Sequence, residues 1–331
     1  MRVTQYTAIE PYKNNLQEIG QRQVNNQMRI ATGRDIQNIG DAPEKVADIK
    51  KMNSIISGNN DFISIIENQI SEFQFAEIQL QGISDLIQKT RQTAIDATQV
   101  GNSGNIPVLA TQVKGFIDDM IRNANADNNG SFLFSGTKTK AESFDPLLPN
   151  TNNLPFELIQ NAPTVANPSG YSVVFKGNFE DKVINKDQGT SDVVNTKADE
   201  IFGTGGLQFF DTIISLYNVL AYKSDGTQRT SADVLTQAEI GKLNDLQKQI
   251  ADYSEQIDQT ISRNAARSNR FDTLRLQITD ENTRLKDYLS TKQDTDVASV
   301  SLELAKDQNA LQYALQVGGN IIPISLLNFL K

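Results

Sequence analysis

The sequence predicts a mainly α protein: a long antiparallel helical rod with coiled-coil terminal helices and a small β-rich inserted domain. Three observations carry this. Apolar residues recur at heptad spacing over most of both halves of the chain. The order of helices after the middle mirrors the order before it. Helix periodicity disappears between about Phe132 and Phe202, where most of the prolines fall.

The first helix is expected over residues 9–30. Ile9, Tyr12, Leu16, Ile19, Gln23, Asn26 and Ile30 alternate spacings of three and four, which makes a coiled-coil seam with two amides in it. The stretch "ATGRDIQNIGDAP" breaks it with Gly33, Gly40 and Pro43. Asp41 as N-cap, Glu44 three residues on and Pro43 in the first turn then start a second helix. Its stripe runs through Ile49, Ile56, Ile63 and Ile70, then Phe73, Leu80, Ile87 and Ala94. A helix over 43–99 spans roughly 85 Å at 1.5 Å per residue. A shorter one follows, with Leu109, Val113, Phe116 and Met120 on one face.

In the middle, "YSVVFKG" (Tyr171–Gly177) and "DKVINKD" (Asp181–Asp187) read as strands joined by a tight turn. "DNNG" (Asp127–Gly130) has one carboxylate and no terminal Glu, so it is a turn and not a calcium loop. "GTGG" (Gly203–Gly206) lacks the Lys-Ser/Thr of a phosphate loop and is read as a plain loop. Helix resumes at "LQFFDTIISLYNVLAY", and a long helix is expected from an N-cap at Ser231 to Leu289. The last helix places Val297, Val300, Leu304, Leu311 and Ala314 at heptad spacing, with a bend expected at Gly318, Gly319 and Pro323. The expected divisions are 1–42 and 291–331 as a terminal domain, 43–137 and 203–290 as the two halves of the rod, and 138–202 as the insertion. An antiparallel return places both ends of the chain at one end of the rod.

Composition narrows the function. The net charge is −9, with Lys and Arg interleaved among acids, so no basic stripe suggests nucleic acid. There is no Cys, His or Trp, which removes thiolate nucleophiles, the usual zinc sites and the commonest general acid–base residue. An enzyme is not expected, nor a cofactor or metal. Asn and Gln outnumber Asp and Glu, a neutral surface that suits close packing of like molecules. "MRVTQYTAIEPYKNN" lacks the features of a cleavable signal, and no window is apolar enough for membrane insertion. The stretch Asn309–Lys331 carries no charge before its last residue yet is rich in Leu, Ile and Val. It lacks the basic face of a membrane-surface helix. Helix 9–30 cannot cover it all, so other copies of the chain are expected to. The expected assembly interface is Ile9, Leu16, Ile19, Ile30, Val297, Val300, Leu304, Leu311, Leu315, Leu326, Leu327 and Leu330. Both ends are expected to order on assembly.

Several stretches resemble the flagellin superfamily, in particular its hook–filament junction members. They are "ATGRDIQNIGDAPEKVADIKKM", "GSFLFSGTKT" (Gly130–Thr139), "ADEIFG" (Ala198–Gly203) before "FFDTIISLYNVL", "NRFDTL" (Asn269–Leu274), "STKQDTDVASVSLELAKDQNALQYAL" and "SLLNFL" (Ser325–Leu330). "DAPEK" departs from the family's more usual double-Asp turn. The resemblance implies a structural subunit whose terminal helices line an inner tube and whose insertion projects outward. It implies export through the flagellar channel to the extracellular flagellum. The implied partners are other copies, a neighbouring hook-associated junction protein, flagellin, and an export chaperone on the C-terminal helix. A divergent flagellin or a secreted coiled-coil adaptor are the alternatives.

Overall fold

A computed structural model describes residues 3–36, 42–99, 103–144, 153–187 and 190–327. The elements in chain order are α1 (Val3–Thr32), α2 (Pro43–Thr98), α3 (Ile106–Ala124), β1 (Asp127–Asn128), β2 (Ser131–Phe132), β3 (Phe156–Gln160), β4 (Tyr171–Phe175), β5 (Val183–Asp187), β6 (Thr190–Val193), α4 (Ala198–Phe202), α5 (Gln208–Ala221), α6 (Gln237–Gln293) and α7 (Val297–Leu327). The expected fold class is the one seen: long helices from both chain halves flank small antiparallel β ribbons. The chain divides into two compact units, residues 1–61 with 277–331, and residues 62–276.

The larger unit holds the main core. α3 and α5 pack on each other, burying Ile106, Val113, Ile117 and Met120 of one and Phe209, Phe210, Ile213 and Leu216 of the other. Both helices show a wide apolar stripe at helical spacing, and covering it is what places them together. Leu109 and Phe116 sit at the edge of this core. Phe156 of β3, Phe202 of α4 and Phe210 of α5 form a fully buried ring cluster with centroids 4.8–5.7 Å apart. Aromatic pairs at such offsets add ~0.5–1.5 kcal/mol beyond the area they bury. In this unit α2 and α6 run antiparallel. Arg275 faces Glu67, Phe271 meets Phe73 at 5.9 Å, and Asp258 accepts from Ser84 at 3.4 Å.

The strands form three two-stranded antiparallel ribbons, β1–β2, β3–β4 and β5–β6. "DNNG" is the β1–β2 turn: Asn129 and Gly130 both take positive φ, 54° and 77°, the conformation that an Asn-Gly hairpin turn supplies. Tyr171–Phe175 and Val183–Asp187 are both strands, but they do not pair with each other as expected. β4 pairs with β3 and β5 pairs with β6. The tight turn between them is replaced by a docking contact. Asn178 donates its backbone N–H to the Ser135 carbonyl at 3.1 Å and accepts from the Thr137 N–H through Oδ1 at 2.8 Å. Gly136 makes this possible, since a Cβ there would lie 2.1 Å from Asn178 Oδ1 and φ is +74°. The "FLFSGTKT" stretch is therefore a backbone joint that captures residues 177–180.

α6 begins later than expected. Thr236, not Ser231, caps it. Thr236 N–H donates to Glu239 Oε2 at 2.8 Å and Glu239 N–H donates to Thr236 Oγ1 at 3.3 Å, a reciprocal capping box. Residues 222–235 are instead a closed loop built on Arg229. Its guanidinium is almost fully buried, donates to the carbonyls of Val219, Tyr222 and Val234, and pairs with Glu239 at 2.8 Å. The expected Asp41 cap lies outside the described residues.

Candidate assembly surface

The smaller unit places α1 against α7. The less exposed positions of α1 include Tyr12, Leu16, Ile19, Gln23, Asn26 and Ile30. On α7 they include Val300, Leu304, Asp307, Leu311, Ala314 and Gly318. Both sets alternate spacings of three and four, the pattern of two helices sharing a seam. Leu16, Ile19, Ile30, Leu304 and Leu311 are half-buried and Val300 is buried within the single chain. Val297 and Leu315, expected at the same interface, lie about half exposed, at 48% and 57%. The side chains of Ile9, Leu326 and Leu327, and all of Leu330, lie outside the described residues.

Sequence reasoning missed Asp307. It sits at the seam position between Leu304 and Leu311, and it is largely buried. Arg22 Nε and Nη2 donate to its Oδ1 at 3.1 and 3.0 Å, and Asn26 Nδ2 donates to its Oδ2 at 3.3 Å. Arg29 continues the row, donating to Asn26 Oδ1 at 3.3 Å and pairing with Glu303 and Asp35. The signal was present in the spacing: an acid in a heptad gap asks for a partner on the facing helix. A buried polar group in a seam sets register, because sliding by a turn leaves it unpaired.

The second register contact is Tyr12. Its hydroxyl donates to the Ala314 carbonyl oxygen at 2.9 Å. Gly318 lies against the same ring, and a Cβ there would meet Tyr12 Oη at 1.9 Å. Gly318, Gly319 and Pro323, where a bend is expected, do not end the last helix, since α7 continues to Leu327. Gly318 serves close packing of a neighbouring side chain, not a break. Its helix cost, ~1 kcal/mol against Ala, is offset by the packing it admits.

The turns at the other end of the pair are bonded to each other. Asp35 N–H donates to the Gln293 carbonyl at 2.8 Å and Thr295 N–H donates to the Gly33 carbonyl at 2.9 Å. Asp296 caps α7, accepting from the Ala298 and Ser299 N–H groups. Nearby, the buried Asn282 of α6 accepts from Asn59 and donates to Asn60 of α2, at 2.9 and 3.0 Å. With one end tied and its register set, the α1–α7 pair still exposes Val24, Met28, Leu302, Tyr313 and Val317, each at 52% or more. Among the described residues, no cluster of His, Cys, Asp or Glu could hold a metal ion, and no helix is long and apolar enough to cross a membrane.

The fold and this terminal helix pair define a mainly α protein of long helices with small antiparallel β ribbons and paired N- and C-terminal helices. Residues 3–139 match the model of the bacterial flagellin N-terminal helical region. Among solved structures, one described as a flagellar hook-associated protein from Vibrio parahaemolyticus aligns at 17% identity with a TM-score of 0.58, over 77% of this chain and 100% of that one. Flagellar hook-associated protein 3 from Legionella pneumophila aligns at 15% identity with a TM-score of 0.53, over 78% and 99%. At these identities the likeness is one of fold. No curated protein matches the chain.

Proposed function

We propose that the chain is a structural subunit of the bacterial flagellum, forming a junction layer between hook and filament through helix packing between subunits. The observation that carries this is the α1–α7 pair: its inner seam is specified by Asp307 and Tyr12, while apolar side chains remain on its outside. Burying a side chain of Leu, Val or Met size is worth roughly 1.5–3 kcal/mol, so neighbours gain by covering them. A head-to-tail contact that does not close on itself extends into an array, and a junction is one short layer of such an array. In this reading residues 1–42 and 291–331 form the inner terminal domain. Residues 43–137 and 203–290 form the helical layer around it, and 138–202 the outer insertion.

The subunit reaches the extracellular flagellum through the flagellar export channel, with no catalytic step of its own. Its partners are other copies, a neighbouring hook-associated junction protein and flagellin. The C-terminal stretch 297–331, uncharged from Asn309 until Lys331, is the natural target of an export chaperone before assembly. A divergent flagellin forming the filament itself is the alternative, and a secreted coiled-coil adaptor a more distant one. Electron microscopy of a strain lacking the gene separates them. Hooks without filaments, with flagellin shed into the medium, support the junction role. Normal filaments remove it, and filament loss without shed flagellin points to flagellin itself.

A further inference from the structure

The backs of α1 and α7, opposite their shared seam, carry a second heptad pattern. On α1 it is Asn14, Gln17, Gln21, Val24 and Met28, and on α7 it is Leu302, Ala305, Asn309, Gln312 and Gln316. All ten are exposed and none is charged, although Glu18, Arg22, Glu303 and Lys306 lie on the same helices; the first charge in the α1 row is the exposed Glu10, one step beyond Asn14. The two stripes also differ in a complementary way. The α1 stripe has only medium and long side chains, whereas the α7 stripe includes Ala305 and ends beside Gly319.

We propose that the back of α1 in one copy packs against the back of α7 in the next copy, antiparallel and in the register that sets Arg22 beside Asp307 within a chain. Laid out in that register, Met28 faces Leu302 and Val24 faces Ala305. Gln21 faces Asn309, Gln17 faces Gln312 and Asn14 faces Gln316. Apolar side chains meet apolar ones at one end, and amides meet amides at the other. Amides both donate and accept, so like copies can pair without charge repulsion. Pairing α1 with α1 would instead oppose long side chains to long ones, and its two-fold symmetry would close a dimer and stop growth. The inference rests on the reading of the chain as a self-packing flagellar subunit and names the face through which it packs.

The chain has no cysteine, so introduced thiols report contacts cleanly. Flagella purified from a strain carrying Gln21→Cys with Asn309→Cys, treated with a mild thiol oxidant, should yield a ladder of disulfide-linked oligomers. Each single variant should stay monomeric. So should Gln21→Cys with Gln316→Cys, which is seven residues out of register, ~10 Å along the helix and beyond disulfide reach. Within one chain the two positions face opposite ways, so an internal link does not compete. Gln17→Cys with Gln312→Cys repeats the test if the first pair impairs assembly. Monomers from both in-register pairs in assembled flagella, or dimers from Gln21→Cys alone, would overturn the proposed seam while leaving the flagellar reading intact. Absence of the unmodified chain from flagella would overturn the flagellar reading and the seam with it.

Discussion

The hydroxyl of Tyr12 reaches across to α7 and donates to the carbonyl of Ala314, and the ring occupies the space that Gly318 leaves open. One bond and one missing methyl thereby hold two helices from opposite ends of the chain at a single height. Gly318→Ala should therefore destabilise the α1–α7 pair even though Ala is the better helix former by ~1 kcal/mol. Overpacking costs about 1–3 kcal/mol, and displacing the ring removes the hydrogen bond as well. Thermal unfolding followed by circular dichroism would show a lower first transition. Tyr12→Phe, which loses ~0.5–1.5 kcal/mol alone, should cost almost nothing further in the Gly318→Ala background. Additive losses would disprove the coupling.

Asp307→Leu tests whether the polar contact in the seam serves register or stability. Leucine would extend the apolar seam, and Arg22 is half-exposed and can hydrate. The pair should hold its stability or gain, since replacing buried ionic groups with apolar ones is often neutral or stabilising. Assembly should nonetheless suffer, because nothing then forbids a shifted seam. Equal assembly of variant and native chain, measured by incorporation into flagella, would assign Asp307 no role in register.

The Arg229 loop makes a pH prediction. Burial acts to raise the Glu239 carboxyl, but hydrogen bonds from Thr236 and the pairing with Arg229 outweigh it and hold it below its ordinary value of 4.5. A carboxyl depressed in the folded state adds stability above its unfolded pKa, and that part is lost as pH falls through the folded value. Urea denaturation should therefore show falling stability below about pH 4.5, with a smaller fall in Glu239→Gln. Arg229→Ala leaves Glu239 buried without its cation and should cost roughly 3–5 kcal/mol near neutral pH. Unchanged midpoints would place the loop outside the cooperative unit.

In a dilute isolated chain, trypsin should cut first before about residue 42 and after about residue 291, where the helix pair lacks the neighbours that cover it. Mass spectrometry of the early fragments identifies the sites. Full resistance of both ends would show that a single chain satisfies them.

Much of the architecture was legible because helices advertise themselves by period. The start of α2 follows from Pro43 and Glu44 in its first turn, and the stripe of α2, the position of α5 and the α1 seam follow from apolar spacing, both of which depend on local geometry alone. The β ribbons were legible as strands but not as partners. Partnering depends on which backbone groups meet, and the Gly136–Asn178 contact that separates β4 from β5 joins residues with no shared local pattern. The cap of α6 was misplaced because Ser231 and Thr236 are both good caps. The loop closed by Arg229 selects the second.

The sequence by itself determined that this chain is a set of long amphipathic helices with a short β insertion and an uncharged apolar end, since side-chain period and charge are properties of the order of residues. Only the tertiary structure decided that Asp307 meets Arg22 and Asn26, that Gly318 is a packing site and not a break, and that Val297 and Leu315 stay exposed while Val300 is covered. Those outcomes depend on what lies on the facing helix nearly three hundred residues away, and no periodicity within one segment carries that information.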